Sequence, residues 1–264
     1  MPLKGEDFSR IIVVYPLVYG SNTQDDVPIQ FRSTYSVDQG NTWSPSIAIT
    51  PPDAPSTTAN GITIDPDTLL LPDYIPIRSA NTIPILASDR KRNILYLATQ
   101  ENSLVVNDIP SGIFLYVTLN SGLSWIPVGQ INTDKNTQAF NQSLTVLDNG
   151  ILAVSYYDFR FYNGTSQNDP LSTDRWQDFY WYNPESNELK LIEELRLTKK
   201  TFDMRKAPLL TSGTALVPAG YFLGDYMEQA NYKGKLYNSY PTVPKIYFNN
   251  PSNVNLSIIK YKDE

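Results

Sequence analysis

Short apolar runs broken by clusters of Pro, Gly, Asn and Asp set the rhythm of this chain. Residues 10–15 and 30–35 form the first pair of runs. Such lengths of β-branched and aromatic residues, bounded by turn residues, predict strands. A clearer series follows at 82–87, 94–99, 113–119 and 126–131, which reads as four strands in meander order. A third opens at 143–147 and continues at 152–157, 178–182 and 189–193. A fourth begins near residue 222, includes 236–240 and ends at 254–261. The units span roughly 10–50, 82–131, 140–194 and 220–261. Between the first two, 51–76 is rich in Pro, Asp and Thr and predicts a long loop carrying one small element at 68–71. Residues 191–200 carry a faintly helical pattern, and the middle of 195–219 has no usable period.

Two turns repeat. Ser36-Val37-Asp38-Gln39-Gly40-Asn41-Thr42-Trp43 recurs in degenerate form as Thr118-Leu119-Asn120-Ser121-Gly122-Leu123-Ser124-Trp125. At the third corresponding place, Asn183-Pro184-Glu185-Ser186-Asn187-Glu188, the position is kept and the motif is lost. Asp38 and Asn120 are placed to accept backbone N–H groups two residues on. Gly40 and Gly122 reach φ > 0 without steric cost. Thr42 and Ser124 can bond locally, and Trp43 and Trp125 return as apolar anchors beneath the turn. Each residue has a folding task, so the motif reads as structural rather than catalytic.

Repeated four-stranded meanders predict an all-β fold of β-propeller type, whose radial packing leaves only short protected edges. The spacing of roughly 60 to 80 residues exceeds the ~40 to 45 of a compact blade, which assigns the excess to loops, where binding residues concentrate. About four antiparallel blades fit, in a single domain over 1–264. The first unit opens with what reads as a blade's second strand. Its inner strand comes either from the C-terminal unit, closing the ring, or from outside the chain, which is then an incomplete propeller. The competing architecture is an irregular β-sandwich with two similar hairpins.

Composition narrows the chemistry. The 264 residues contain no Cys and no His. That excludes thiol chemistry, disulfides, Cys/His metal centres, a Ser-His-Asp triad and a histidine general base. Net charge is −6, from 21 basic and 27 acidic residues without a basic run, which argues against a nucleic-acid partner. No apolar stretch is long enough for a membrane span, and the run 11–14, broken by Pro16, does not read as a signal peptide. The 18 Tyr and 4 Trp suit sugar stacking and protein contact as well as strands. Asp65-Pro66-Asp67 and 169–174 place carboxylates in loops, but neither has calcium-loop spacing; no metal and no cofactor is expected. Asn141-Gln142-Ser143, Asn163-Gly164-Thr165 and Asn255-Leu256-Ser257 match the glycosylation acceptor, a pattern that arises readily in an Asn-rich chain.

Residues 36–43 match Ser-x-Asp-x-Gly-x-Thr-Trp at every defined position. On this motif the chain resembles the sialidase-like β-propeller superfamily, whose BNR repeat, or Asp-box, has this form. Val154-Ser155-Tyr156-Tyr157-Asp158-Phe159-Arg160 and Phe222-Leu223-Gly224-Asp225-Tyr226 resemble signatures of an uncharacterised, often secreted branch of BNR-repeat proteins. Residues 82–89 resemble the strand that opens each repeat, and the likeness covers roughly 10–240. It implies an extracellular or cell-surface location and a glycan or surface-protein partner; the oligomeric state stays open. Sialidases of this kind clamp the substrate carboxylate with three arginines and use a Tyr nucleophile paired with Glu, with an Asp as acid/base. The guanidinium fork matches a carboxylate, and a Tyr nucleophile starts neutral before an anionic sugar. Here the Arg-Ile-Pro motif of the first clamp is absent, and Ile75-Pro76-Ile77-Arg78 has the letters in another order.

The catalytic candidates are Asp158, Arg160, Asp225 and Tyr226; the substrate-contact candidates are Arg78, Tyr157 and Arg205. Asp158 and Arg160, at i and i+2, face one side of a strand end and Tyr157 the other. They form either a mouth-facing acid and cation or an ion pair tying a loop. Asp225 either caps a turn or projects into a central channel. Glu228 is the nearby acid able to pair with Tyr226. Arg78 and Arg205 are clamp residues or surface arginines. Two functions compete. One is a propeller that binds glycan or protein without catalysis, favoured by the missing clamp motif. The other is a glycoside hydrolase of exo-sialidase type acting on acidic glycans, which requires two or more arginines converging on a central pocket.

Overall fold

The computed structural model describes residues 10–18, 29–50, 77–79, 83–101, 111–163, 169–210, 220–243 and 253–261. Regular structure in them is β-strand, apart from one 3₁₀ turn at Met204–Lys206. Sheet 1 has β1 (Ile11–Val18), β2 (Ile29–Ser36) and β3 (Ile47–Ala48) in that order. After β4 (Ile77–Arg78), sheet 2 is the meander β5 (Ile85–Asp89), β6 (Ile94–Glu101), β7 (Gly112–Thr118) and β8 (Ile126–Gln130). Sheet 3 repeats it with β9 (Ala139–Val146), β10 (Leu152–Asp158), β11 (Ser172–Asn183) and β12 (Glu188–Arg196), and β13 (Phe202–Asp203) adds to β11. β14 (Leu209–Leu210) and β15 (Gly220–Phe222) follow. Sheet 4 has β16 (Glu228–Asn231), β17 (Lys235–Thr242) and β18 (Asn253–Lys260).

Side-chain alternation explains how the sheets stack. β6 is buried along its whole length, so it needs apolar cover on both faces. Leu95 and Leu97 pack on sheet 1 with Ile12, Ile29 and Phe31. Ile94, Tyr96 and Ala98 turn the other way and join Val154, Tyr156, Trp176 and Tyr180 of sheet 3. On the far face of sheet 3, Ala153 and Phe179 meet Leu236 and Ile259 of sheet 4. Four sheets therefore stack in series, which is not a two-sheet sandwich. The described sheets do not close on themselves. The first strands of sheets 2 and 4, β5 and β16, both lie against β9.

The structure changes several sequence expectations. Residues 191–200 are not helical: β12 runs to Arg196 as an edge strand paired with β11, and Asp178 lies opposite Glu194. β11 begins six residues before the expected 178, because its first half buries Asp174, Arg175 and Gln177, polar residues that hide a strand from a hydrophobicity pattern. The unplaced stretch after residue 195 holds β13, the 3₁₀ turn and β14. β14 pairs with β15, and β15 pairs in parallel with β4, so the segment before sheet 2 is tied to the segment before sheet 4. The expected loop at 51–76, with its small element and Asp65-Pro66-Asp67, lies outside the described residues. Among the described residues, no helix is long and apolar enough to cross a membrane.

Candidate functional site

Strand register divides each sheet into two edges. Asp158, at the end of β10, pairs with Ala139 at the start of β9 and with Asp174 near the start of β11. Thr118, at the end of β7, pairs with Leu95 near the start of β6. Starts of first strands and ends of second strands thus share one edge, and the repeated turns occupy the opposite one.

The two turns have the same hydrogen-bond plan. Ser36 Oγ donates to Asp38 Oδ1 (2.7 Å) and accepts from Gly40 N (2.8 Å). Asp38 then accepts from Thr42 N (2.8 Å) and Thr42 Oγ1 (2.6 Å), four residues on rather than the two expected. Thr118, Asn120, Gly122 and Ser124 repeat the first three contacts, and in the fourth the direction reverses, Asn120 Nδ2 donating to Ser124 Oγ (2.8 Å). The hydrogen bonds from Thr42 hold the Asp38 carboxyl down at about 2. Gly40 and Gly122 have φ of 93° and 84°, and the residue before each, Gln39 and Ser121, is also left-handed. The tryptophans differ. Trp125 is partly buried on sheet 1, and its Nε1 donates to Ser33 Oγ at 2.9 Å. Trp43 is 45% exposed, with its ring beside Gly40 of its own turn. Sheet 1 has no preceding sheet to cover it among the described residues.

At the other edge, two groups of candidate residues form, on opposite faces of sheet 3. In the first, Arg160 Nε pairs with Asp158 at 2.7 Å and Arg160 Nη1 with Glu194 at 2.7 Å, with the guanidinium 3.7 Å from the Trp176 ring centroid. Trp176 Nε1 donates to Asp158 Oδ1 (2.9 Å). Asp158 is fully buried, and that burial pushes its carboxyl up to about 7 against the pull of Arg160. Burial alone would lower the Arg160 guanidinium, but its two carboxylate contacts outweigh it and raise it. Behind them, Asp178 accepts from Thr133 Oγ1 (2.7 Å), Tyr156 OH (2.7 Å) and Tyr180 OH (2.9 Å), and its Oδ1 has no partner. Burial raises Asp178 to about 6.

In the second group, Arg78 pairs with Asp225 at 3.3 Å and lies 4.4 Å from the Phe222 ring centroid. The carbonyl of the neighbouring Gly224 accepts from Asn141 Nδ2 (3.0 Å). The carbonyl of Asn141 accepts from Arg175 Nη1 (2.8 Å), and Arg175 Nη2 donates to Ser155 Oγ (2.7 Å). Arg175 is wholly buried between the rings of Tyr157 (4.6 Å) and Tyr240 (5.9 Å), and this burial lowers its pKa. The Tyr157 hydroxyl donates to Pro241 O (2.6 Å), and burial raises it well above its usual value. A hydrogen-bonded path thus links Arg78 and Asp225 through Asn141 to Arg175, on which Tyr157 stacks. Asn141 and Arg175 escaped the sequence reading. Asn141 stood only inside a glycosylation triplet, yet it is buried with its amide engaged.

The remaining candidates stand apart. Arg205 donates through Nη1 to Asp169 O. Tyr226 is 76% exposed. Asp174 is engaged by Arg196, Thr198 and Thr201, and among the described residues no cluster of three metal-type side chains exists. A cavity of about 610 Å³ lies between β5, β9 and β16, lined in part by Ser88, Thr145, Asp148, Glu228 and Asn231. Of the acids weighed from sequence, only Glu228 reaches it. The cavity was invisible in sequence because three distant strands assemble it.

No family model and no curated protein matches the chain. Solved structures similar to it include two sialidases and an endo-arabinase. A Hadza microbial sialidase, Hz136, is 11% identical with a TM-score of 0.48, over 94% of this chain and 42% of that one. A Trypanosoma rangeli sialidase solved with sialic acid is 12% identical with a TM-score of 0.47, over 98% and 36%. An endo-arabinase from Bacteroides thetaiotaomicron is 12% identical with a TM-score of 0.45, over 94% and 75%. The chain spans less than half the length of these two sialidases. Likeness at this level does not decide between activities.

Proposed function

We propose that this chain is a sialidase-like propeller domain of the Asp-box kind that binds glycan or protein without hydrolysing it. Sheets 1 to 4 are then four blades, the turns at 36–43 and 118–125 are Asp-boxes, and the setting is extracellular or cell-surface. The observation that carries this reading is the fate of the three candidate arginines. Arg160 is engaged by Asp158 and Glu194, Arg78 by Asp225, and Arg205 by the carbonyl of Asp169. None of the three lines the cavity between the first strands. A carboxylate clamp needs guanidinium forks aimed at a common point. The cavity offers hydroxyl, amide and acid groups, with Arg90 and Lys91 as its cations, a mixed lining that includes one guanidinium rather than a converging set.

A second reading, hydrolysis of exo-sialidase type on acidic glycans, draws on Asp158, whose carboxyl near 7 is in the range for proton transfer. Its full burial beside Trp176 and Arg160 keeps it from a substrate. An array of glycans and surface proteins probed with the full chain tests the binding reading. Saturable binding is expected, and Thr145→Trp, which fills the cavity, should abolish it while the fold persists. Binding that survives Thr145→Trp would place the ligand elsewhere.

A further inference from the structure

The cavity between β5, β9 and β16 carries charges of opposite sign at its two ends. Side-chain contacts fix the levels along it. Near the starts of the three strands, Gln142 Nε2 donates to Ile83 O (3.1 Å) and Gln229 Nε2 to Ser143 O (2.6 Å). Near their ends, Lys91 Nζ donates to Asp148 O and Asn231 Nδ2 to Val146 O. The strands therefore run the same way along the cavity. Glu228, which opens β16, lies at one end; Arg90 and Lys91, which follow β5, lie at the other. The levels of Ser143 and Asp148 are roughly 15 Å apart at strand rise.

These end charges are not spent inside the chain. Among the described residues, neither Glu228 nor Arg90 makes an ion pair or a side-chain hydrogen bond, and both are exposed. The remaining charged residues of the lining are engaged. Arg92 holds Asp89 at 2.6 Å, Lys91 reaches the Asp148 carbonyl, and the Asp148 carboxylate accepts from Tyr261 OH (3.4 Å). With Asp89 neutralised by Arg92, one end presents a guanidinium and an ammonium against Asp148 alone. The other presents the Glu228 carboxylate with no base of the lining beside it.

Resting on the reading of this cavity as the binding site, we propose that it holds an extended peptide segment of a protein partner. A Lys or Arg of the peptide meets Glu228, and an Asp or Glu meets Arg90. Charge complementarity chooses this occupant. A neutral glycan leaves both end charges without a partner. An acidic glycan satisfies the Arg90 end and leaves Glu228 unpaired or repelled. A peptide carries both signs on one chain, and its extended backbone spans the two ends with roughly five residues.

Selection from a displayed library of short random peptides against the full chain tests this, run beside a glycan array. Recovered peptides should carry a basic residue roughly four to six positions from an acidic one. Selection against Glu228→Lys should turn the basic position acidic, and selection against Arg90→Glu should turn the acidic position basic. Both positions are exposed, so the variants should keep the parent's circular dichroism spectrum. Fluorescence anisotropy of one labelled recovered peptide should show binding about threefold to fivefold weaker to Glu228→Gln, as for an exposed pair, and weaker again as salt rises. Thr145→Trp should abolish it. Recovered peptides whose charges ignore both reversals overturn the proposal. So does glycan binding that Thr145→Trp abolishes while no peptide is recovered; the cavity is then a binding site for another class of ligand. If neither peptide nor glycan binds, the proposal and the binding reading fall together.

Discussion

Arg78 and Asp225, 147 positions apart in the chain, meet at 3.3 Å and clasp the parallel pair β4 and β15. The pair is partly exposed, at 19% and 25%. Solvent screening therefore limits its coupling to about 0.5–1 kcal/mol. A double-mutant cycle with Arg78→Ala and Asp225→Ala in urea melts should return a coupling in that range. A coupling near zero would show that the clasp adds nothing to the β4–β15 contact.

The two tryptophans of the repeated turns should behave differently despite their matching positions. Trp125 is partly buried between sheets 1 and 2, so Trp125→Ala should cost about 3 kcal/mol through lost ring contacts. Trp43→Ala should cost well under half of that, because its ring already faces solvent. Asp38→Ala should lower the denaturation midpoint by removing the acceptor for Thr42. The Asp38 carboxyl is depressed to about 2, so its contribution is present above its unfolded value near 3.8 and fades as pH falls toward 2. Melts of the variants between pH 2 and pH 7 check all three.

Asp178 gives the opposite pH slope. Its folded carboxyl is raised to about 6 by burial, above an ordinary value of 3.8. The folded state therefore holds a proton that the unfolded state releases, a difference on the order of 3 kcal/mol. This contribution is full below about pH 4 and is lost as pH rises through 6. Asp178→Asn should flatten the fall in melting temperature between pH 4 and pH 6. An unchanged slope would place the titration on another group, with Asp158 next to be tested.

Arg160 separates structure from catalysis. Removing it takes away the cation that holds the buried Asp158 carboxyl down, so in Arg160→Gln that carboxyl rises above 7 and the variant should lose more stability at pH 8 than at pH 6. Adding Asp158→Asn should remove this pH dependence, because no carboxyl is left there to titrate. Denaturant midpoints of the single and double variants decide it. A single variant as stable as the parent would free Arg160 for another role.

Much of the fold was legible because alternation and turn chemistry agree. The runs at 94–99 and 113–119 and the matched turns at 36–43 and 118–125 located strands and repeats without any coordinates. β11 was half missed because Asp174, Arg175 and Gln177 are buried polar residues, and burial of that kind depends on partners elsewhere in the chain. The i, i+2 argument placed Asp158 and Arg160 on one side and Tyr157 on the other, as observed. It could not say which neighbouring sheet each side meets. The link from Asp225 through Asn141 to Arg175, and the cavity between β5, β9 and β16, depend on sheet stacking, which no local pattern encodes.

The most direct measurement is hydrolysis of a panel of fluorogenic acidic and neutral glycosides by the full chain, run beside its binding to a glycan and surface-protein array. No turnover together with saturable binding is the expected result, since Arg78, Arg160 and Arg205 are engaged internally. Turnover abolished by Asp158→Asn or Tyr226→Phe in a protein that remains folded would contradict it and make the site an enzyme's.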